Sequence, residues 1–341
     1  MSTDASEGPR RFLDAMWGGA LPTSWPAPLD VDWHEHPEPR WTLTPGSGLE
    51  VSVSAGANRA PEQLRYAMEL GAGTGSLSER LDQQRAALGV VAGALPLDVA
   101  AEAVATLHDV IDDAFPRATR DGPEPAFTTW IGAVHDASDP DSVDVVKLYA
   151  NVAWDPGALT RLSARWPELA TLAALVPVDI APVAFVAFET ARDGARRAKV
   201  YLRPERGAGH QALQAAARVA GVDPRAVIST LHDVGLSPCL WGPWTKLCLA
   251  GSTDRAPQLT VHAALAPLSS DRRGAVADAL AGSFGLQPGF DKVRAAAESS
   301  GWAAQPTVAA AGFGPSGAES ATLYFAPGVP DEVRARARRD L

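Results

Sequence analysis

Five times along its 341 residues the chain repeats one pattern. Two short stretches alternate apolar and polar residues, and one or two stretches of helical periodicity follow. Alternation marks half-buried strands. The pairs read 48–56 with 63–70, 128–136 with 144–152, 182–190 with 196–204, 244–252 with 258–267, and 307–314 with 320–328. Links such as ARDGA (191–195) and GSTDRAP (251–257) are short and rich in turn formers, as antiparallel hairpins require. Ten antiparallel strands with every helix between pairs predict an α+β fold: a ten-stranded closed antiparallel barrel ringed by outer helices. Closure removes exposed strand edges, and a barrel of this size can hold a ligand. Residues 1–40 are expected to form a helix and loop packed on one barrel domain spanning 41–341.

Residues i and i+2 on a strand share a face. One face collects Arg197, Lys199, Tyr201 and Arg203, then Lys147, Tyr149 and Asn151, then Arg65, Ala67 and Glu69. It also takes Gln258, Thr260 and His262, and Thr322 with Tyr324. The intervening residues, among them Val146, Leu148, Val200, Leu202, Leu259, Val261, Leu323 and Phe325, are apolar and suit the underside of a helix layer. The polar face therefore points into the lumen. Lysine occurs at only four positions and tyrosine at four, yet this face takes Lys147 and Lys199 and three of the tyrosines. Cations buried without partners are costly. A diphosphate supplies the missing anion, because arginine forks and lysine ammoniums both suit phosphate oxygens. Tyrosine rings shelter a carbocation from water.

The bulk properties narrow the classes. A formal net charge of −10 argues against a general nucleic-acid binder. No long apolar run marks a membrane span, and MSTDASEGPRRF lacks the apolar core of a signal peptide. Cys239 and Cys248 are too few for a disulfide framework. The expectation is a cytoplasmic protein whose partners are small molecules.

The strand motifs and their order, from about residue 40 to 328, resemble those of the dimethylallyltryptophan synthase-type aromatic prenyltransferases. LEVSVSAG followed by LRYAMELGAGTGS is similar to the family's first pair, a glutamate and then R-[FY]-x-x-E. K-x-Y recurs at Lys147 and Tyr149, and R-x-K-x-Y at Arg197, Lys199 and Tyr201. Where the family shows Q-x-Y, this chain carries Thr260 and His262, with Gln258 one step earlier. The resemblance implies metal-independent transfer of a dimethylallyl group to an indole, most often that of tryptophan, in secondary metabolism. It implies diphosphate binding by Arg65, Lys147, Arg197, Lys199, Gln258 and Thr260. It implies a cation shield of Tyr149, Tyr201 and Tyr324, with His262 as a histidine substitute. Glu50 matches the glutamate that engages the indole N–H and is the first candidate for the base. His135, beside Lys147 on the partner strand, is the second.

Other motifs compete. ELGAGTGS (69–76), with Asp98 downstream, has the glycine pattern of an S-adenosylmethionine-binding Rossmann methyltransferase. That fold needs single parallel strands alternating with helices, and the hairpins do not fit it. DVIDD (109–113) is an acidic helix face, and His34, Glu35 and His36 are too local for a metal site. Trp241, Trp244 and Trp302 are candidates for an aromatic acceptor pocket. A catalytically inactive ligand-binding barrel is the third class.

Overall fold

The computed structural model describes residues 7–18, 49–56, 63–69, 76–116, 127–135, 139, 141–176, 181–205, 207–240, 245–252, 255–265, 268–300 and 306–326. The strands are β1 (Leu49–Gly56), β2 (Arg65–Met68), β3 (Thr129–His135), β4 (Val143–Asn151), β5 (Val183–Ala191), β6 (Arg196–Leu202), β7 (Lys246–Ser252), β8 (Arg255–Ala264), β9 (Pro306–Gly314) and β10 (Gly317–Phe325). Each pairs antiparallel with its neighbour in sequence, and β1 pairs with β10 to close the barrel. All five predicted strand pairs are present. No two of the described strands run parallel as neighbours, so the Rossmann reading of the glycine motif is overturned; residues 70–75 of that motif lie outside the described residues.

The helices are α1 (Glu7–Met16), α2 (Leu77–Ala92), α3 (Leu97–Ala114), α4 (Ala158–Arg165), α5 (Pro167–Leu175), α6 (Gly209–Val219), α7 (Pro224–Asp233), α8 (Ser270–Phe284) and α9 (Gln287–Ser300). Local chemistry sets their ends. Ser76 and Glu79 form a reciprocal capping box at the start of α2. Asp223 caps α7 ahead of Pro224, and Gly285 ends α8 at φ +70°. The single helical pattern of 156–175 breaks into α4 and α5. Pro167 forces Trp166 into an extended conformation and removes a backbone donor.

The two faces of the wall separate as the alternation predicts. Val146, Leu148, Val200, Leu202, Leu259, Val261, Leu323 and Phe325 are buried beneath the helices in the main apolar cluster. Ala67, Phe127, Trp130, Phe185, Ala187, Tyr201, Cys248 and Ala250 form a second cluster inside the barrel. Two strands begin earlier than the alternation suggests. β8 starts at Arg255 because its ladder with β7 continues through a bulge to Ser252, which shortens the GSTDRAP loop. β10 starts at Gly317, whose φ of +108° completes a tight turn from Gly314.

Candidate active site in the barrel lumen

Directly opposed residues on antiparallel strands point to the same side of the sheet, so the register fixes the composition of the lumen. One cross-strand row reads Glu50, Ala67, Gly132, Lys147, Glu189, Arg197. The next reads Trp130, Tyr149, Ala187, Lys199, Ala250, Gln258. The third reads Asn151, Phe185, Tyr201, Cys248, Thr260, Gly312. A fourth brings Lys246 opposite His262. Alanine, glycine and cysteine positions leave room between the long side chains. At Gly132 a methyl group would come within 2.8 Å of the Tyr66 carbonyl oxygen. The result is a cavity open to solvent and lined by Glu50, Arg65, Lys147, Arg197, Lys199 and the ring residues.

The cations gather in the first two rows. The Lys199 ammonium lies 2.5 Å from the Glu189 carboxylate, and the Lys147 ammonium lies 3.2 Å from the same oxygen. Arg197 donates to the Gln258 side-chain oxygen at 2.6 Å. Burial pushes the Glu189 carboxyl up, but Lys199, Lys147 and Arg197 together hold it well below the usual carboxylate range. Burial pulls the Lys199 ammonium down, and Glu189 opposes that. Glu189 belongs to β5, whose face the sequence reading left unassigned. The alternation Phe185, Ala187, Glu189 carried the signal. Some of the lumen's positive charge is therefore balanced from within.

The rings form a belt beside the cations. Tyr149 and Tyr201 have centroids 6.1 Å apart, Tyr201 and His262 5.6 Å, and His262 and Tyr324 5.7 Å. Phe185, not anticipated, stacks on Tyr201 at 4.2 Å. Burial raises the phenols of Tyr149 and Tyr201 well above their ordinary value, so both remain neutral donors. Thr260 lines the same cavity.

Glu50 is buried and acts electrostatically on both Tyr149 and Lys246. Lys246, a third lysine inside the barrel, sits over the Phe185 ring at 5.5 Å. Burial pushes its ammonium down to about 8, with Glu50 opposing and Arg203 assisting. Glu69 accepts from the Thr128 backbone N–H and the Trp130 indole N–H, each at 3.2 Å. Burial raises its carboxyl to about 7 against those bonds and Arg80.

His135 is not in this constellation. A register shift separates it from Val134, and it lies buried on the helix side of the wall. Its ring packs 5.5 Å from Tyr66 and 5.8 Å from Trp17, just beyond α1. It is on the partner strand of Lys147, as expected, but on the opposite face of the wall, so its candidacy as the base is corrected. The acidic run 109–113 is on α3, where Asp109 and Asp113 pair with Arg165 and Asp112 with Arg85. The residues 33–39, Trp241, Trp244 and Trp302 lie outside the described residues. Among the described residues no group of three or more His, Cys, Asp or Glu side chains could hold a metal, and no helix is long and apolar enough to cross a membrane.

No family model matches the chain, and no curated protein matches it significantly in sequence. Solved structures do match in fold. The 5-dimethylallyltryptophan synthase from Streptomyces coelicolor superposes with a TM-score of 0.68 at 18% identity, covering 97% of each chain. The 6-dimethylallyltryptophan synthase from Micromonospora olivasterospora, solved in complex with DMASPP and Trp, gives 0.63 at 20% identity over 95% of this chain and 96% of that one. AnaPT from Neosartorya fischeri gives 0.59 at 15% identity, covering 83% and 79%. The chain has the ten-stranded barrel fold of these enzymes.

Proposed function

We propose that this chain is an aromatic prenyltransferase that moves a dimethylallyl group from dimethylallyl diphosphate to an indole, with L-tryptophan or a tryptophan derivative as acceptor. One observation carries the reading. A single lumen combines a cation cluster, a contiguous ring belt and a buried glutamate, in a fold shared with enzymes named for this reaction. One of those neighbours was solved with a donor analogue and tryptophan together.

Arg65, Lys147, Arg197 and Lys199 hold the diphosphate and stabilise the charge that builds on it as the allylic C–O bond breaks. Gln258 steers Arg197, and Thr260 offers a further hydroxyl donor. These groups supply the neutralisation that a divalent cation would otherwise give, so the transfer is metal-independent. Tyr149, Tyr201, His262 and Tyr324 face the allylic cation and exclude water. Glu50 accepts the indole N–H and so raises the electron density of the ring as it attacks. It is also the residue placed to take the proton that the ring then loses. His135 has no part in this scheme. One barrel domain with an N-terminal helix, acting in the cytoplasm in secondary metabolism, completes the proposal.

The test is mass spectrometry of purified protein incubated with dimethylallyl diphosphate and L-tryptophan, with and without a chelator. A product heavier by one isoprene unit, formed equally with chelator, supports the reading. Loss of product with chelator overturns metal independence. Binding of both substrates without product supports the inactive barrel instead.

A further inference from the structure

We infer that Glu189 is a built-in competitor of diphosphate: its carboxylate holds Lys147 and Lys199, opposes the incoming anion, and hastens release of free diphosphate after transfer. The inference rests on the prenyltransferase reading of the lumen.

Glu189 lies on β5, between the two strands that carry the cations. Its row partners are Lys147 on β4 and Arg197 on β6, and Lys199 is two residues along on β6, on the same face. One carboxylate oxygen takes both ammoniums, at 3.2 and 2.5 Å. The three side chains are only 11–13% exposed, so water screens the contact weakly. Strand pairing on both sides fixes the Glu189 backbone between the cations, and its side chain is tied to both lysines. Each ammonium has three protons and can serve a carboxylate and a phosphate oxygen at once. The carboxylate thus lowers anion affinity without removing a single donor.

The charge balance gives this a direction. Arg65, Lys147, Arg197 and Lys199 line the cavity with Glu50, and Glu189 contacts two of the lysines, so four cations against two carboxylates leave a net excess of two positive charges. The donor is a diphosphate monoester and has one ionisable oxygen fewer than free diphosphate. Once the C–O bond has broken, the added negative charge increases the repulsion from the carboxylate that shares its lysines. A purely structural ion pair makes the opposite prediction. There, losing Glu189 would let the lysines splay apart and weaken anion binding.

The sign of the effect is therefore the test. Calorimetry with inorganic diphosphate is run on the wild type, Glu189→Asp and Glu189→Gln. We expect Glu189→Gln to bind about tenfold tighter or more. Glu189→Asp, which draws the charge back by one methylene, is expected between the two. Diphosphate should also raise the melting temperature of Glu189→Gln more than that of the wild type. In turnover the donor KM should fall while kcat falls with slower release. Equal or weaker diphosphate binding by both variants overturns the inference. Tighter binding in the variants without any prenyl product upholds it and overturns the prenyltransferase reading instead. Failure of the wild type to bind diphosphate overturns both.

Discussion

Lys199→Met keeps most of the length of the side chain and removes its charge. Lys199 is the nearer of the two ammoniums on Glu189, at 2.5 Å against 3.2 Å for Lys147. Two losses follow. The donor loses a charge-assisted hydrogen bond worth about 1.5–3 kcal/mol, a factor of roughly 10 to 150 in affinity. Glu189 also loses the strongest of the three cations that hold its carboxyl ionised, and it then faces the diphosphate with less compensation. The net effect belongs near the upper end of that range. Initial rates measured against dimethylallyl diphosphate at saturating tryptophan, then the reverse, separate the substrates. The donor KM should rise by about two orders of magnitude while the acceptor KM stays near its wild-type value. The double variant Lys199→Met/Glu189→Gln should recover part of the loss, because no uncompensated carboxylate remains. Unchanged donor kinetics, or an acceptor KM that rises as much as the donor's, would refute this assignment of the lumen's two ends.

Glu50→Ala should cut turnover by about 100-fold or more while leaving the donor Kd near wild type, because its role concerns the acceptor and the proton; calorimetry with a thiolodiphosphate analogue checks the second half. Gly132→Ala should destabilise the fold by about 1–3 kcal/mol in urea unfolding, since its methyl group meets the Tyr66 backbone oxygen at 2.8 Å. Glu69 carries a folded value of about 7 against an ordinary 4.5, so the unfolded chain surrenders that proton first as pH rises. Its contribution to stability is therefore full below pH 4.5 and is lost as pH climbs to about 7. The difference in unfolding free energy between wild type and Glu69→Gln, followed over that window, should fall with pH, and a flat difference contradicts the assignment.

The barrel was legible because period-two alternation survives in nearly every strand. Val146, Leu148, Val200 and Leu202 reach the helix layer while Lys147, Tyr149, Lys199 and Tyr201 reach the lumen, as parity alone requires. Parity also places His135, which shares the outer face of β3 with Ile131 and Ala133 and not the face of Gly132, the residue opposite Lys147; its candidacy rested on the partner strand alone. Glu189 was missed for a different reason. PVAFVAFET is apolar on both faces as far as Phe188, so neither face announces itself as polar until the final two residues. Lys246 shares its face with Cys248 and Ala250, which carry no charge or ring to mark that face as the lumen. The ion pair that joins Lys147, Glu189 and Lys199 spans three strands, and only the register brings it together.

A crystal structure with dimethylallyl S-thiolodiphosphate and L-tryptophan tests the account most directly. The account predicts diphosphate density among Lys147, Arg197 and Lys199, the allylic carbons within the ring belt of Tyr149, Tyr201, His262 and Tyr324, and the indole N–H on Glu50. Diphosphate seated outside the lumen, or an indole turned away from Glu50, would contradict it.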